Sequence, residues 1–266
     1  MRRVFGSRRT LACILCGVLL YAFCAVSSSH ALAPQVFFES AYTLPPSVIK
    51  ELAEIGLKKG SRSMGKELSE HIRHIPSEPA HIRQKVIEDA YLRILVEQKR
   101  LGWTRADELY RNLSGIEGFR HAMHAASSSS RIATRGHLYE LFTASAMKNH
   151  GFEILAIGAD FKSPARNVMT DIDIVARKEG QIYALQLKNY RPERITWDAL
   201  INFRAQMDDL VAYAKLTNAK TYFVCSHRPS DANIEKSLTA AAQSRNITLL
   251  YATQKELPAA MALLGQ

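Results

Sequence analysis

The feature that most constrains the fold is a stretch of alternating residues at positions 170–190, where two apolar runs flank Glu179 and Gly180. Two such runs around a glycine-containing pair predict a β-hairpin with a tight turn. Because side chains alternate between the two faces of a strand, the predicted strand pair gathers a largely polar set on one face. The members of that set are Asp171, Asp173, Val175, Ala184, Gln186 and Lys188.

The register of this hairpin decides which polar side chains meet. A two-residue turn places Asp173 opposite Gln186 and Asp171 opposite Lys188, with about 4.5–5.5 Å between the Cβ atoms of each pair. A four-residue loop keeps that register, whereas an odd loop would slip it. Two interpretations follow: a solvated sheet face with a cross-strand Asp–Lys pair, or a metal-dependent phosphodiesterase site.

A helix predicted at residues 135–147 adds a third acid. Its apolar residues lie almost all round the helix, which is typical of a buried element. Glu140 falls between Ala144 and Met147 on the helix surface, so we expect its carboxylate to point into packed surroundings. A buried carboxylate needs a partner, and a metal ion is one. Gly136 lies one turn earlier, where the missing side chain predicts a close approach by another backbone.

The remaining pattern alternates strands and helices around this hairpin. A strand at residues 152–161 precedes it. After it we predict a helix capped by Thr196, a strand at 220–225, a helix from about Ser230, a strand at 247–251 and a helix opened by Thr253 and Glu256 in capping-box spacing. This order predicts an α/β fold in which helices flank a mixed sheet.

Three motifs of this region together resemble those of the PD-(D/E)xK nuclease superfamily. They are Gly136-x-x-x-Glu140 on a first helix, Asp171-Ile-Asp173 on a strand, and Gln186-x-Lys188 at the end of the next strand. The superfamily includes restriction endonucleases, archaeal-type Holliday junction resolvases and Mrr-like enzymes. The resemblance covers about residues 131–251 and implies a restriction endonuclease-like core.

The resemblance also implies an activity and a role for each site residue. A nuclease of this class hydrolyses the phosphodiester bonds of DNA with Mg²⁺ or Mn²⁺, and we expect no small-molecule cofactor. Glu140 corresponds to the first-helix acid, Asp173 to the principal metal ligand and Gln186 to the second ligand position. Lys188 corresponds to the signature catalytic lysine. A homodimer is left open as the assembly.

Gln186 departs from the pattern, since most members have Asp or Glu at this position. An amide oxygen can coordinate Mg²⁺ but brings no charge, so we expect weaker metal binding. Mrr-like members share the Gln-x-Lys variant, and Asp171 is available as a supporting acid. The alternative function is a catalytically silent module of the same fold that binds DNA or protein.

Residues 1–33 have the pattern of a secretory signal peptide. Four arginines within the first nine residues precede an apolar run at 11–26, which is shorter than the ~20 residues that span a bilayer. Residues 31–33 fit a small-x-small cleavage site, so we expect a periplasmic or secreted protein. Two alternatives stay open: a twin-arginine signal, and an uncleaved segment that would anchor the protein in a membrane.

The rest of the chain divides into a helical region at residues 34–126 and the nuclease-like domain at 131–266. Four serines at 127–130 separate them, and serine runs are typical of linkers. Within the helical region, apolar periodicity and breaker residues predict helices at 47–55, 66–74, 78–101 and 104–113.

The chain is basic, with a net charge of +10, and it stays basic when residues 1–33 are excluded. This balance suits a polyanionic partner. Cations near the hairpin and its neighbouring helices either contact a phosphate backbone or form a solvated rim. They are Arg131, Arg135, Lys162, Arg166, Arg177, Lys178, Arg191, Arg194 and Arg204.

Overall fold

A five-stranded mixed sheet forms the centre of the structure, with the strands in the order β1-β2-β3-β4-β5. The strands β1, β2 and β3 pair antiparallel, and β3, β4 and β5 run parallel to one another. Their bounds are Glu153–Ser163 for β1, Val168–Lys178 for β2, Gln181–Lys188 for β3, Lys220–Cys225 for β4 and Thr248–Tyr251 for β5. The predicted α/β fold with a mixed sheet is confirmed.

The computed structural model describes residues 80–164 and 167–264, all of which belong to one unit, residues 38–266. In this part of the chain the helices are α1 Ala80–Glu97, α2 Trp103–Leu113, α3 Phe119–Ser128, α4 Arg131–Asn149, α5 Trp197–Thr217, α6 Ala232–Gln243 and α7 Leu257–Leu263. None of them is long and apolar enough to cross a membrane. The predicted signal segment and the helices predicted at 47–55 and 66–74 lie outside the described residues.

Helices cover both faces of the sheet. Residues 172–176 of β2 and 183–187 of β3 are all buried, and successive residues of a strand point to opposite faces. The helix α4 contacts β1, β2 and β3, whereas α5 contacts β1, β3 and β4. Phe203, Met207 and Leu210 of α5 lie in one buried cluster with residues of the sheet and of α6. The middle of the hairpin therefore has no solvated face.

The turn between β2 and β3 has the predicted two-residue form. Lys178 pairs with Gln181, and Glu179 and Gly180 have φ angles of 51° and 80°. Positive φ at both central residues defines the type I′ turn, whose twist matches that of the flanking strands. The cross-strand pairs that follow the turn have the predicted register.

The helix cap predicted at Thr196 is confirmed. The Oγ1 of Thr196 accepts a hydrogen bond from the backbone N–H of Ala199, at 3.3 Å, and so caps α5. A bond such as that of Thr196 satisfies a group that the first turn of a helix leaves without a partner. The capping box predicted at Thr253 and Glu256 is formed only in part: the backbone N–H and the hydroxyl of Thr253 both donate to the Glu256 carboxylate, at 2.7 and 2.8 Å. The N-cap of α7 is Glu256 itself, and its side chain makes no capping hydrogen bond.

The serine run at residues 127–130 differs from the predicted linker. Its first two serines end α3, and Ser130 caps α4 by accepting from the N–H of Ala133. The guanidinium of Arg100 donates to the carbonyls of Ala126, Ser127 and Ser129 at 2.9–3.2 Å. Serine is frequent in linkers but is also a preferred helix cap, and here the caps and Arg100 hold the segment in place.

Candidate active site

The strands β2 and β3 separate at the end of the hairpin that lies away from the turn. Beyond their last regular pair, the same register would set Asp173 opposite Gln186 and Asp171 opposite Lys188. Instead the backbone N–H of Leu187 donates to Oδ2 of Asp173, at 2.5 Å. The predicted oppositions are therefore absent from the ladder between the described strands, because a carboxylate oxygen occupies the N–H that continued pairing would use.

The alternation of side chains changes at the same point. We expected Ile172 and Val175 on opposite faces of β2, as a regular strand requires. Ile172 instead lies in the same buried cluster as Val175 and Ala184, beside α5. The face predicted for Ile172 is wrong because β2 leaves its regular pairing with β3 between these two residues.

Asp173 is a buried carboxylate with a cationic neighbour. The Nζ of Lys188 lies 3.7 Å from its Oδ2, and both side chains are largely buried. Burial, followed by the carboxylates of Glu140 and Asp171, raises the pKa of Asp173 to about 7, although Lys188 and the N–H of Leu187 act to lower it. The carboxylate of Asp173 is therefore poorly solvated, and it shares Lys188 with two neighbouring carboxylates, Glu140 and Asp171.

Gln186 is buried directly before Leu187, with 2% of its surface exposed. Its side-chain oxygen has no hydrogen-bond partner among the described residues. A buried amide oxygen without a partner costs about 1–3 kcal/mol of folding free energy. Gln186 thus places an oxygen without a described partner near the end of β3. The next residue, Leu187, provides the N–H that donates to Asp173.

Glu140 lies on α4 and is partly buried, and His137 lies one turn before it. The Nδ1 of His137 is 3.6 Å from Oε2 of Glu140. The neighbouring carboxylate of Glu140 raises the pKa of His137, burial lowers it, and the charges of Asp173 and Asp171 raise it further. Sequence reasoning did not name His137, although its spacing of three residues from Glu140 places both on one helix face.

The close backbone approach predicted at Gly136 is wrong. A Cβ added there would meet none of the described atoms within 4 Å outside its own helix. The neighbouring side chains Arg131, Ile132 and Arg135 are exposed, so the first turns of α4 lie at the surface. The helix face one turn before Glu140 is therefore open.

The donor set of this site fits a magnesium ion that keeps most of its water. Among residues 80–164 and 167–264 there is no group of three or more His, Cys, Asp or Glu side chains arranged to hold a metal. Mg²⁺, however, is usually held by one or two carboxylates together with waters. Asp173, the orphaned oxygen of Gln186 and the nearby Glu140 meet that requirement in donor chemistry.

No family model matches the chain, and neither does any curated protein or solved structure. What the fold and the site define is an α/β domain with a buried Asp–Lys pair where two antiparallel strands separate. The assignment of a family therefore rests on the motifs of the sequence.

Proposed function

We propose that this chain is a metal-dependent nuclease with a restriction endonuclease-like core, which hydrolyses phosphodiester bonds of DNA. The observation that carries the proposal is the environment of Asp173. Its buried carboxylate lies beside two further carboxylates with Lys188 as its ion-pair partner, and the buried oxygen of Gln186 has no described partner. A bound divalent cation would satisfy the amide oxygen and offset the charge of the three carboxylates.

Asp173, Gln186 and Glu140 would hold Mg²⁺ or Mn²⁺. When bound, the cation supplies Lewis acidity toward a phosphodiester and stabilises the charge that develops on it. The carboxylate of Asp173 is already oriented for this role, because the Leu187 N–H holds one of its oxygens. The proposed second-ligand role of Gln186 rests on its oxygen having no hydrogen-bond partner among the described residues.

Lys188 provides the second part of the proposed chemistry. Its ammonium group lies next to Asp173, and only 13% of its side chain is exposed. A cation in such a water-poor position interacts strongly with charge that develops on a phosphate. Lys188 would orient the attacking water and stabilise the developing charge.

A catalytically silent module is the second candidate, and one observation favours it. Gln186 brings no charge, and the described residues contain no three-membered cluster of acids, histidines or cysteines with metal-binding geometry. A chain of this kind would bind DNA or protein without cleaving it.

Cleavage assays separate the two candidates. The full chain is incubated with supercoiled plasmid and with linear DNA in Mg²⁺, in Mn²⁺ and in EDTA. We expect cleavage with either metal, none in EDTA, and loss of cleavage in Lys188→Ala. The matched control is Lys220→Ala, at the other end of the sheet, which keeps activity. Cleavage that is unchanged in Lys188→Ala contradicts the mechanism, and absence of cleavage in all conditions favours the silent module.

We propose further that the nuclease is exported. The supporting observation is the pattern of residues 1–33, in which arginines, a short apolar run and a small-x-small site follow one another. The measurement is the N-terminus of the protein isolated from its natural source. A chain that begins at Pro34 supports export, whereas Met1 retained in the soluble cytoplasmic fraction contradicts it.

A further inference from the structure

Five exposed arginines lie on elements next to the end of β3 that carries Lys188, and none forms an ion pair with another described residue. We call this the arginine surface. Its members come from the first turns of α4, from the loop after β3 and from the first turns of α5. They are Arg131, Arg135, Arg191, Arg194 and Arg204.

Hydrogen bonds hold the parts of the arginine surface against the candidate active site. The side-chain amide of Asn189, the residue after Lys188, donates to the backbone carbonyl of Arg135 at 2.8 Å. The hydroxyl of Ser226, which follows β4, donates to the carbonyl of Tyr190 at 3.1 Å. The loop that follows β3 is therefore held by α4 on one side and by the residue after β4 on the other.

The same surface exposes large apolar side chains. Nine large hydrophobic residues of the described chain are exposed, and four of them lie on these elements: Ile132, Tyr190, Trp197 and Ile201. Trp197 is 51% exposed and Ile201, one turn later on α5, is 65% exposed. The Tyr190 ring packs edge-on against buried Phe203, with centroids 5.5 Å apart, yet stays 41% exposed. Exposed apolar side chains on neighbouring elements, beside several cations, favour an interaction site.

The net charge of the arginine surface indicates the class of ligand that it binds. Glu193 and Asp198 are the exposed acids in its loop and first α5 turn, so the five arginines leave a positive excess. Cations that follow a phosphate backbone, together with exposed aromatic rings, are the combination that binds single-stranded nucleic acid. In a duplex the base faces are stacked on one another, so rings such as Trp197 and Tyr190 have no base to stack on.

We propose that the arginine surface binds an unpaired DNA strand, with bases stacked on Trp197 and Tyr190 and phosphates contacting the arginines. The inference rests on the proposed nuclease function and specifies its substrate as DNA with a single-stranded segment next to the cleavage point. A second copy of the chain and an intact duplex are the competing ligands.

The two tryptophans of the chain provide the test. Trp103→Phe leaves Trp197 as the fluorescent reporter, and Trp197→Phe leaves Trp103. Each full-length variant is titrated in EDTA with a short single-stranded oligonucleotide and with a blunt duplex of the same length. We expect the single strand to quench the fluorescence of Trp197 and to leave that of Trp103 unchanged. Equal quenching in both variants, or equal affinity for the duplex, overturns the inference.

Truncation of the Trp197 side chain measures how much it contributes to single-strand affinity. We expect Trp197→Ala to weaken single-strand binding about five- to a hundredfold, the range that loss of one stacked base produces. Leu216→Ala, exposed near the other end of the same helix, leaves the affinity unchanged. Sedimentation without DNA detects a second copy as ligand: self-association that Trp197→Ala abolishes overturns the inference.

Binding in EDTA needs no catalysis, so the two proposals fail separately. Cleavage of DNA without single-strand preference overturns the substrate assignment and keeps the nuclease. Single-strand binding without cleavage in any metal supports the arginine surface and overturns the nuclease. Circular dichroism of each variant confirms that loss of binding is not loss of folding.

Discussion

The two ends of the β2–β3 hairpin are built from the same two strands but differ in how their polar groups are satisfied. At the closed end, Lys178 and Gln181 pair regularly across the type I′ turn. At the open end, the Leu187 N–H bonds to the side chain of Asp173, and the buried oxygen of Gln186 has no described partner.

This contrast shows how a site differs from a scaffold made of the same elements. The closed end needs only its own backbone and the turn residues, so it is complete as a local structure. The open end has a poorly solvated carboxylate and a buried oxygen without a described partner, which the proposed metal ion would satisfy. Mutations at the open end should therefore affect activity, and those at the closed end only stability.

The largest effect expected is on cleavage by Asp173→Asn. Loss of the carboxylate would remove the proposed principal metal ligand, so we expect kcat to fall at least about a hundred- to a thousandfold, similar to the loss of other electrostatic groups. Glu179→Gln, an acid-to-amide change at the closed end, is the matched control and should leave kcat unchanged. Cleavage kinetics in Mg²⁺ measure both, and equal rates in the two variants would remove the distinction between the ends.

The same variant should alter how stability depends on pH. Because burial and nearby carboxylates raise the pKa of Asp173 to about 7, from about 4 in an unfolded chain, the folded state binds this proton more tightly. The stabilisation it provides is fully present below about pH 4 and is lost as the pH rises through about 7. In EDTA, wild type should therefore lose a few kcal/mol relative to Asp173→Asn between these pH values.

Urea unfolding of the two proteins at several pH values measures this difference, since contributions of other groups cancel between them. A difference in unfolding free energy that does not change with pH would show that Asp173 titrates normally. Burial and the neighbouring carboxylates would then not raise the pKa of Asp173, and the two ends of the hairpin would not differ in this respect.

Gln186→Glu should produce an effect of intermediate size. We expect lower thermal stability in EDTA but tighter Mg²⁺ binding. Another carboxylate, at the buried position of Gln186, lowers the melting temperature in EDTA, because burial penalises its charged form. Mg²⁺ should reverse the loss, and the Mg²⁺ concentration for half-maximal cleavage should fall about tenfold, since a charged ligand replaces a neutral one. A melting temperature that does not respond to Mg²⁺ would argue against Gln186 as a ligand.

The smallest effect belongs to the turn. Gly180 has a φ of 80°, which a residue with a Cβ adopts only with strain, so Gly180→Ala should lower the unfolding free energy by about 1 kcal/mol. Glu179→Asn should raise it by a few tenths of a kcal/mol, because Asn-Gly is favoured in type I′ turns. Neither variant should alter cleavage, and a change in kcat would show that the two ends are coupled.

Most of the fold around the hairpin could be predicted from the sequence. Alternation, turn residues and caps predicted the turn at Glu179 and Gly180, the cap at Thr196 and the order of strands and helices. These features depend on residues a few positions apart, whose interactions are present in the local chain. The linker at 127–130 was predicted from composition alone, which could not show that Arg100, distant in sequence, binds that segment.

The sequence by itself determined which chemical groups are available: two acids on β2, the amide and lysine on β3, and an acid on α4. Only the tertiary structure decided that Asp173 leaves the ladder to accept from Leu187, that Gln186 is buried without a described partner, and that His137 faces the same acids. The physical reason is that burial and charge are properties of all the packed elements together. A strand pattern can predict its own register, but it cannot predict how a helix and a neighbouring strand end remove water from its carboxylate.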